Sequence, residues 1–378
     1  MRGFQKAQFL CSLGLAAVLL AGCGTTAASL PAASAPAAAS AAAQAPEEKM
    51  LYTQTATVAA ETYQGRREFE TFLTRAQRQF LIPALAENLI PQGMDLCDAT
   101  GILYISGYYS AKGKSSAILA VDTATGELVA EYQLKKPGDL PFEGHVGGVA
   151  VSDTTLYLSG TKDTEGRTTI LAIPLSSLPP QGSHTVTVEH SIPVPVSPSF
   201  LSFSEGVLWV GNFYHPGADY GLSEGMDYTT LDAAGEKLGC YILGYEMPEG
   251  DTGLAVASGD RYAQPDVVLV APNKIQGVVV KEGAVTLSQS YGRKNNACLL
   301  RYALDRNQPE DARVPVNGRE VPAYVLDSRR QTEAFTVMPM TEALADAPDG
   351  GIYVLFESGA IHYANGTDRT DHVWKIKF

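Results

Sequence analysis

From Gln92 onward the chain alternates short apolar runs with Gly, Pro, Asn and Asp, and one arrangement of such runs recurs five times. The first copy joins Gln92-Gly93-Met94-Asp95-Leu96 to Ile102-Leu103-Tyr104-Ile105-Ser106-Gly107. The second joins Gly147-Gly148-Val149-Ala150-Val151 to Thr155-Leu156-Tyr157-Leu158-Ser159-Gly160. The third joins Ser199-Phe200-Leu201-Ser202-Phe203 to Val207-Leu208-Trp209-Val210-Gly211-Asn212. The fourth and fifth begin at Gln276-Gly277 and Glu342-Ala343 and carry second runs around Thr286 and Tyr353. The central residues of the second runs, 104, 157, 209, 286 and 353, lie 53, 52, 77 and 67 positions apart. A repeat of this length, with several strands per copy, predicts the blades of an all-β, five-bladed β-propeller.

Each copy extends toward four strands. Residues 117–121 and 128–134 complete the first blade, 169–175 and 185–194 the second, and 239–247 and 266–271 the third. Residues 297–304 and 321–326 complete the fourth. The fifth has only one further strand, 373–378, so the ring needs a donor to avoid open sheet edges. The alternating, β-branched residues 51–58 are expected to supply it. Between them and the first blade, residues 61–80 place Phe69, Phe72, Leu73, Ala76 and Phe80 at helical spacing, which predicts one amphipathic helix. Asp122 with Gly126, and Asp232 with Gly235, lack the spacing of an EF-hand and read as tight turns.

The ends of the chain read differently. Arg2 and Lys6 precede an apolar stretch over 9–20, and Leu20-Ala21-Gly22-Cys23 follows. The stretch is shorter than the roughly 20 residues a spanning helix needs. These residues resemble a bacterial lipoprotein signal peptide, which implies cleavage before Cys23 and lipidation of its thiol. Residues 1–22 are then the signal, 23–48 a lipidated cysteine with an Ala/Ser/Pro tether too poor in large apolar side chains to fold, and 49–378 the propeller. The expected location is a membrane-anchored protein on the extracytoplasmic side, at the cell surface or in the periplasm. Without the two leader cations the chain has 26 Lys and Arg against 41 Asp and Glu, a net charge of −15. That balance argues against nucleic acid as a partner. Cys97, Cys240 and Cys298 sit in separate strand-like runs with no metal-ligand spacing and read as buried apolar positions, one incidental disulfide being the alternative.

Candidate chemistry follows from the order of strands. With four antiparallel strands running outward from the axis, the start of the innermost strand and the loop between the second and third strands share one face. The inner-strand starts offer Gln92, His145 beside Gly147, Ser199, Gln276 and Glu342. The loops offer Tyr108, Tyr109, Asn212, Tyr214, His215, Tyr291, Arg293 and Glu357. Amides, aromatics and hydroxyls around a shallow axial site suit a glycan or cell-wall fragment. His145 and Glu342 are the catalytic candidates for a hydrolase of lactonase, esterase or glycosidase type, His145 as a base near neutral pH. No metal site is expected, and calcium, which takes six to eight oxygens, is the only ion this chemistry would admit. A structural surface protein is the third reading.

The segments Ile90-Pro91-Gln92-Gly93, Gly144-His145-Val146-Gly147-Gly148, Leu208-Trp209-Val210-Gly211, Lys274-Ile275-Gln276-Gly277, Ser290-Tyr291-Gly292-Arg293 and Phe356-Glu357-Ser358 resemble motifs of secreted bacterial propeller proteins of unassigned function. The resemblance spans roughly residues 85–365 and implies an extracytoplasmic propeller without naming an activity. The expectation is thus a lipid-anchored binding module whose partners are a membrane, through the anchor, and an extracellular small molecule, glycan or protein. Cys23→Ala is expected to leave the precursor unlipidated and released from the membrane fraction. Equal membrane association of variant and parent on fractionation would refute the anchor.

Overall fold

The computed structural model describes residues 49–217, 226, 230–247 and 253–378. Cys23, the leader and the tether lie outside them. The described chain forms five sheets arranged as the blades of a β-propeller.

The first blade runs outward as Ile90–Cys97, Ile102–Tyr108, Ala117–Asp122 and Glu127–Lys136. The second is Val149–Val151, Thr155–Ser159, Thr169–Pro174 and Ser191–Pro193. The third is Phe200–Ser204, Val207–Gly211, Cys240–Glu246 and Val267–Ala271. The fourth is Ile275–Lys281, Ala284–Gln289, Ala297–Ala303 and Gln331–Val337. The fifth is Thr341–Asp346, Ile352–Phe356, His372–Ile376 and, from the other end of the domain, Ala76–Leu81. The five repeats therefore supply the five pairs of inner strands, and an N-terminal strand closes the ring.

Successive residues of a strand point to opposite faces of its sheet, so each strand feeds two cores. In the second strand of the first blade, Leu103 and Ile105 pack toward the fifth blade and Tyr104 toward the second. One apolar cluster fills each of the five interfaces between neighbouring blades. This is why the inner strands read as almost continuously apolar.

At the axis the inner strands approach so closely that side chains must be omitted. A Cβ on Gly93 would stand 2.5 Å from the Val149 amide nitrogen, and one on Gly148 would stand 2.3 Å from that of Leu201. The serines ending the second runs tie neighbours together. Ser106 Oγ donates to the Val146 carbonyl at 2.7 Å, and Ser288 Oγ donates to the Glu342 carbonyl at 2.5 Å.

The closing strand is not residues 51–58. Ala76–Leu81 pairs antiparallel with His372–Ile376, and the helix expected over 61–80 is confined to a 3-10 turn, Arg67–Phe69, and Glu70–Arg75. Phe69 and Phe72 are fully buried, and Phe72 lies 5.3 Å from the Trp374 ring. Ala76 and Phe80 fit a helical stripe, but here a register shift between Arg78 and Leu81 sends them into different cores, Ala76 toward the fourth blade and Phe80 toward the first, and the unpaired edge of the fifth blade decides for the strand.

Residues 51–58 instead form a strap outside the sheets, four of its amides bonded to side-chain carboxylates. Leu51 and Tyr52 N–H donate to the two oxygens of Glu131 at 2.6 and 3.0 Å, and Glu131 is completely buried. Thr57 and Val58 N–H donate to Asp371 Oδ2 at 2.8 and 2.9 Å. The Gln54 amide donates to the Leu81 and Gly126 carbonyls and accepts from Leu128 N–H, joining the last blade to the first.

Two outer strands also differ from expectation. Of residues 185–194, only Ser191–Pro193 pairs within the second blade, while Gly182–Thr187 runs parallel to Glu127–Lys136 on the first. Residues 321–326 are not the fourth strand of the fourth blade. Arg319–Val325 forms a hairpin with Ala312–Val316 and extends the third blade, and Gln331–Val337 takes the vacated place. Both misplacements lie far from the axis, where an edge strand has two neighbours to choose between. Among the described residues Cys97, Cys240 and Cys298 are free thiols, the first two buried and the third half-buried.

The strap leads to a stability prediction. Glu131→Ala leaves two amides unpaired in a buried site and is expected to cost about 2–4 kcal/mol, with faster proteolytic cleavage near residues 50–60. Glu131→Gln, which keeps one acceptor, should cost less. Thermal melting and limited proteolysis that distinguish neither variant from the parent would show that the strap does not hold the ring closed.

Candidate functional site

The start of each inner strand delivers a side chain to one end of the central channel. Gln92, His145, Ser199, Gln276 and Glu342, drawn from five blades and 250 residues of sequence, line a single cavity of about 530 Å³. Gly147 at the repeat position has no side chain to offer, and His145 from the preceding connection fills that sector. The loops after the second strands complete the wall with Tyr108, Phe213, Tyr291, Arg293 and Glu357. Tyr363 and Met340 also line it. Their runs lacked the repeat's marker residues, although Tyr363 falls within the loop that begins at Glu357.

Backbone strain accompanies this placement. Lys274 (φ 67°) and Met340 (φ 60°) each lie two residues before an axial side chain, Gln276 or Glu342, and Val146 (φ 46°) directly follows His145. A β-branched residue at positive φ is costly. The connections entering the second, fourth and fifth blades thus hold a turn that sets their axial residues at the cavity.

The floor of the cavity is a hydrogen-bonded carboxyl pair. Glu342 is 4% exposed and accepts from Gln276 Nε2 at 3.3 Å. It is hydrogen-bonded to Glu357, which also accepts from Gln92 Nε2 at 2.8 Å and from the Tyr363 hydroxyl. Burial pushes both acids up, and for Glu342 the neighbouring Glu357 adds to it. Burial raises Glu357 to about 7, against lowering contributions from Tyr363, Gln92, Glu342 and the Arg293 charge. Both acids therefore favour the protonated form, and a proton shared between them would avoid burying two like charges side by side.

The two carboxyls act on each other directly and are held by side-chain amides, an arrangement unlike a pair set apart to flank a scissile bond. Retaining glycosidases separate the two groups by about 5 Å, and inverting ones by more. Nor are His145 and Glu342 arranged as a catalytic couple. The His145 ring packs on Tyr108 with centroids 4.2 Å apart, and the hydrogen bonds of Glu342 go to Gln276 and Glu357. His145 is exposed at the cavity mouth, although the side chains crowding it hold its pKa below the ordinary value. Among the described residues no three His, Cys, Asp or Glu side chains converge as metal ligands.

The remaining candidates separate. Asn212 is buried and structural, donating to the Gly239 carbonyl at 3.0 Å and accepting from Tyr241 N–H at 2.8 Å. Tyr214 and His215 line an adjoining cleft of about 800 Å³ between the third and fourth blades, whose wall includes Tyr291 and Ser290 as well. Tyr109 packs against the core between the fifth and first blades, outside the axial cavity.

No family model matches the chain, and no curated protein matches it. Solved structures similar to it include a glutaminyl cyclase from Myxococcus xanthus, 14% identical over 80% of this chain and 94% of that one, with a TM-score of 0.37. A PQQ-bound aldose sugar dehydrogenase from Streptomyces coelicolor is 14% identical over 80% and 97%, with a TM-score of 0.42. A GH43_1 enzyme from Xanthomonas citri is 12% identical over 82% and 92%, with a TM-score of 0.41. Likeness at this level says nothing about activity.

The carboxyl pair makes a pH prediction. A buried acid with a raised folded-state pKa binds its proton more tightly folded than unfolded. Its stabilising contribution is fully present below the ordinary Glu value and is lost as pH rises through the folded value, here from about 4.5 through about 7. Other carboxylates, such as Asp371, are shifted down and act in the opposite sense, so the difference between variant and parent isolates the pair. Glu342→Gln should be more stable than the parent by on the order of 1–3 kcal/mol at pH 8, with the gain shrinking toward pH 4.5. Parallel melting profiles across that range would refute proton sharing.

Proposed function

We propose that this propeller is a binding module whose axial cavity takes a small polyhydroxylated ligand, a glycan or a cell-wall fragment. The observation that carries the reading is the convergence of one polar side chain from each of five blades on a single open cavity. Gln92 and Gln276 present amides, Ser199 a hydroxyl, and the shared-proton pair both a donor and an acceptor. Tyr108, Tyr291 and Tyr363 add ring faces and hydroxyls. Hydroxyl-rich rings need this combination, many directional polar groups around apolar faces. In the proposal the lipid on Cys23 tethers the module to the outer side of a membrane, with the Ala/Ser/Pro segment as its leash.

Binding is favoured over hydrolysis by the carboxyl spacing and by the packing of His145 against Tyr108. A purely structural role gives no reason to bury two acids beside an open cavity at a stability cost.

The test uses side chains at the cavity mouth, whose loss should not disturb the core. His145→Ala combined with Arg293→Ala is expected to weaken binding of a saccharide identified on a glycan array by about tenfold or more, which is roughly 1.4 kcal/mol, with little change in melting temperature. Titration calorimetry measures the first and a thermal scan the second. Unaltered affinity would place the ligand elsewhere.

A further inference from the structure

The axial cavity does not end at the axis. Its wall on the side of the fourth blade is the loop carrying Ser290 and Tyr291, and the same two residues are the inner wall of the cleft running outward between the third and fourth blades. Both openings lie on the face formed by the loops between second and third strands. The cleft is the roomier, about 800 Å³ against 530 Å³.

The ridge between them is aromatic. Tyr291 is 41% exposed, unusual for a large apolar ring in this protein. Its ring stacks on Phe213, which faces the axial cavity, at 6.3 Å and 29°. His215, which faces the cleft, meets it edge-on at 4.2 Å, and Lys274 Nζ stands over the ring 5.8 Å from its centre. The exposed part of this buttressed ring, with the Lys274 ammonium beside it, offers apolar and polar contacts to a sugar ring lying across the ridge.

Resting on the reading of the axial cavity as a saccharide site, we infer that the ligand is a linear oligosaccharide: its end unit sits at the axis, the chain crosses Tyr291, and further units lie in the cleft between the third and fourth blades. Buried Glu342 lines the axial cavity with Glu357, and the end unit is placed against them. The cleft, bordered by Asn273, Asn295 and Lys274, is the open direction for a chain to leave. The module would then recognise chain ends rather than internal stretches.

The experiment titrates the full mature chain with xylo-, cello- and chito-oligosaccharides of one to four units. Affinity in the series that binds is expected to rise at least about tenfold from one unit to three and then level. Reducing the chain-end count, by offering a polymer at equal mass, should lower the number of sites filled in proportion to its ends. Asn296→Trp fills the cleft from an exposed position and should bring the ratio of three-unit to one-unit affinity down toward one. Equal affinity for one and three units in the parent protein, or an unchanged ratio in Asn296→Trp, would overturn the extended site while leaving the axial cavity as a monosaccharide site. Binding by no member of any series would sink the saccharide reading itself, and this inference with it.

Discussion

The architecture depends on how closely five strands can approach one axis. Where Gly93 and Gly148 lie, the neighbouring backbone comes within 2.5 Å of the place a Cβ would occupy. Gly277 is similarly confined by the backbone at Glu342, Ala343 and Leu344. Small residues there let the inner strands converge, and convergence brings side chains from five separate repeats within reach of one another. The hydroxyls of Ser106 and Ser288 convert that proximity into bonds between adjacent blades. A bulkier residue at any of these glycines would push a blade outward and loosen the apolar interfaces on both sides of it.

The same crowding explains the cavity chemistry. Side chains entering at the inner-strand starts cannot spread apart, so two acids that are 15 residues apart in sequence, Glu342 and Glu357, meet at the floor. In water two carboxylates repel weakly, but in a buried floor they share a proton. Gln92 and Gln276 are then held as donors to that pair, which fixes their orientation before any ligand arrives. The inner-strand side chains of the site are thus set by the strand framework, which lowers the cost of ordering them on binding.

The repeat made the ring, its five inner pairs and the axial residues legible in the sequence, because strand period and glycine placement are local signals that recur. Its outer edge was not legible. Ala76 and Phe80 satisfy a helical stripe, and the open edge beside His372–Ile376 takes them as a strand whose register shift sends the two side chains into different cores. Residues 51–58 have strand composition, yet Glu131 and Asp371, distant in sequence, offer their amides side-chain partners instead. Likewise 319–325 had the pattern of a fourth strand but found a neighbour in the third blade. Asn212 looked like a ligand-facing amide by position, and its backbone partners are at Gly239 and Tyr241 across the loop. Position within a blade predicts which face a residue reaches, whereas the partner that claims it depends on contacts far along the chain.

The two ends of the channel show why a buried acid alone does not mark a site. At the opposite end from the candidate cavity, Asp95 is 2% exposed and accepts three backbone amides, from Leu96, Val151 and Phe203 at 3.0, 2.8 and 3.1 Å. Burial raises its pKa against those three donors; Oδ2 joins the first blade to the second and third through Val151 and Phe203, while Oδ1 takes the Leu96 amide of its own strand. It acts as a clamp, although it too borders a cavity, of about 480 Å³. Glu342 and Glu357 are held by one another, by two side-chain amides and by a tyrosine hydroxyl, groups that can turn toward a ligand without unpairing a strand. Backbone donors are spent on the fold, and side-chain donors can be exchanged. By that criterion the end of the channel lined by Gln92, Gln276 and Tyr363 keeps side-chain groups that can be exchanged, which supports the proposed site there, and the end lined by Asp95 is built to hold the blades together.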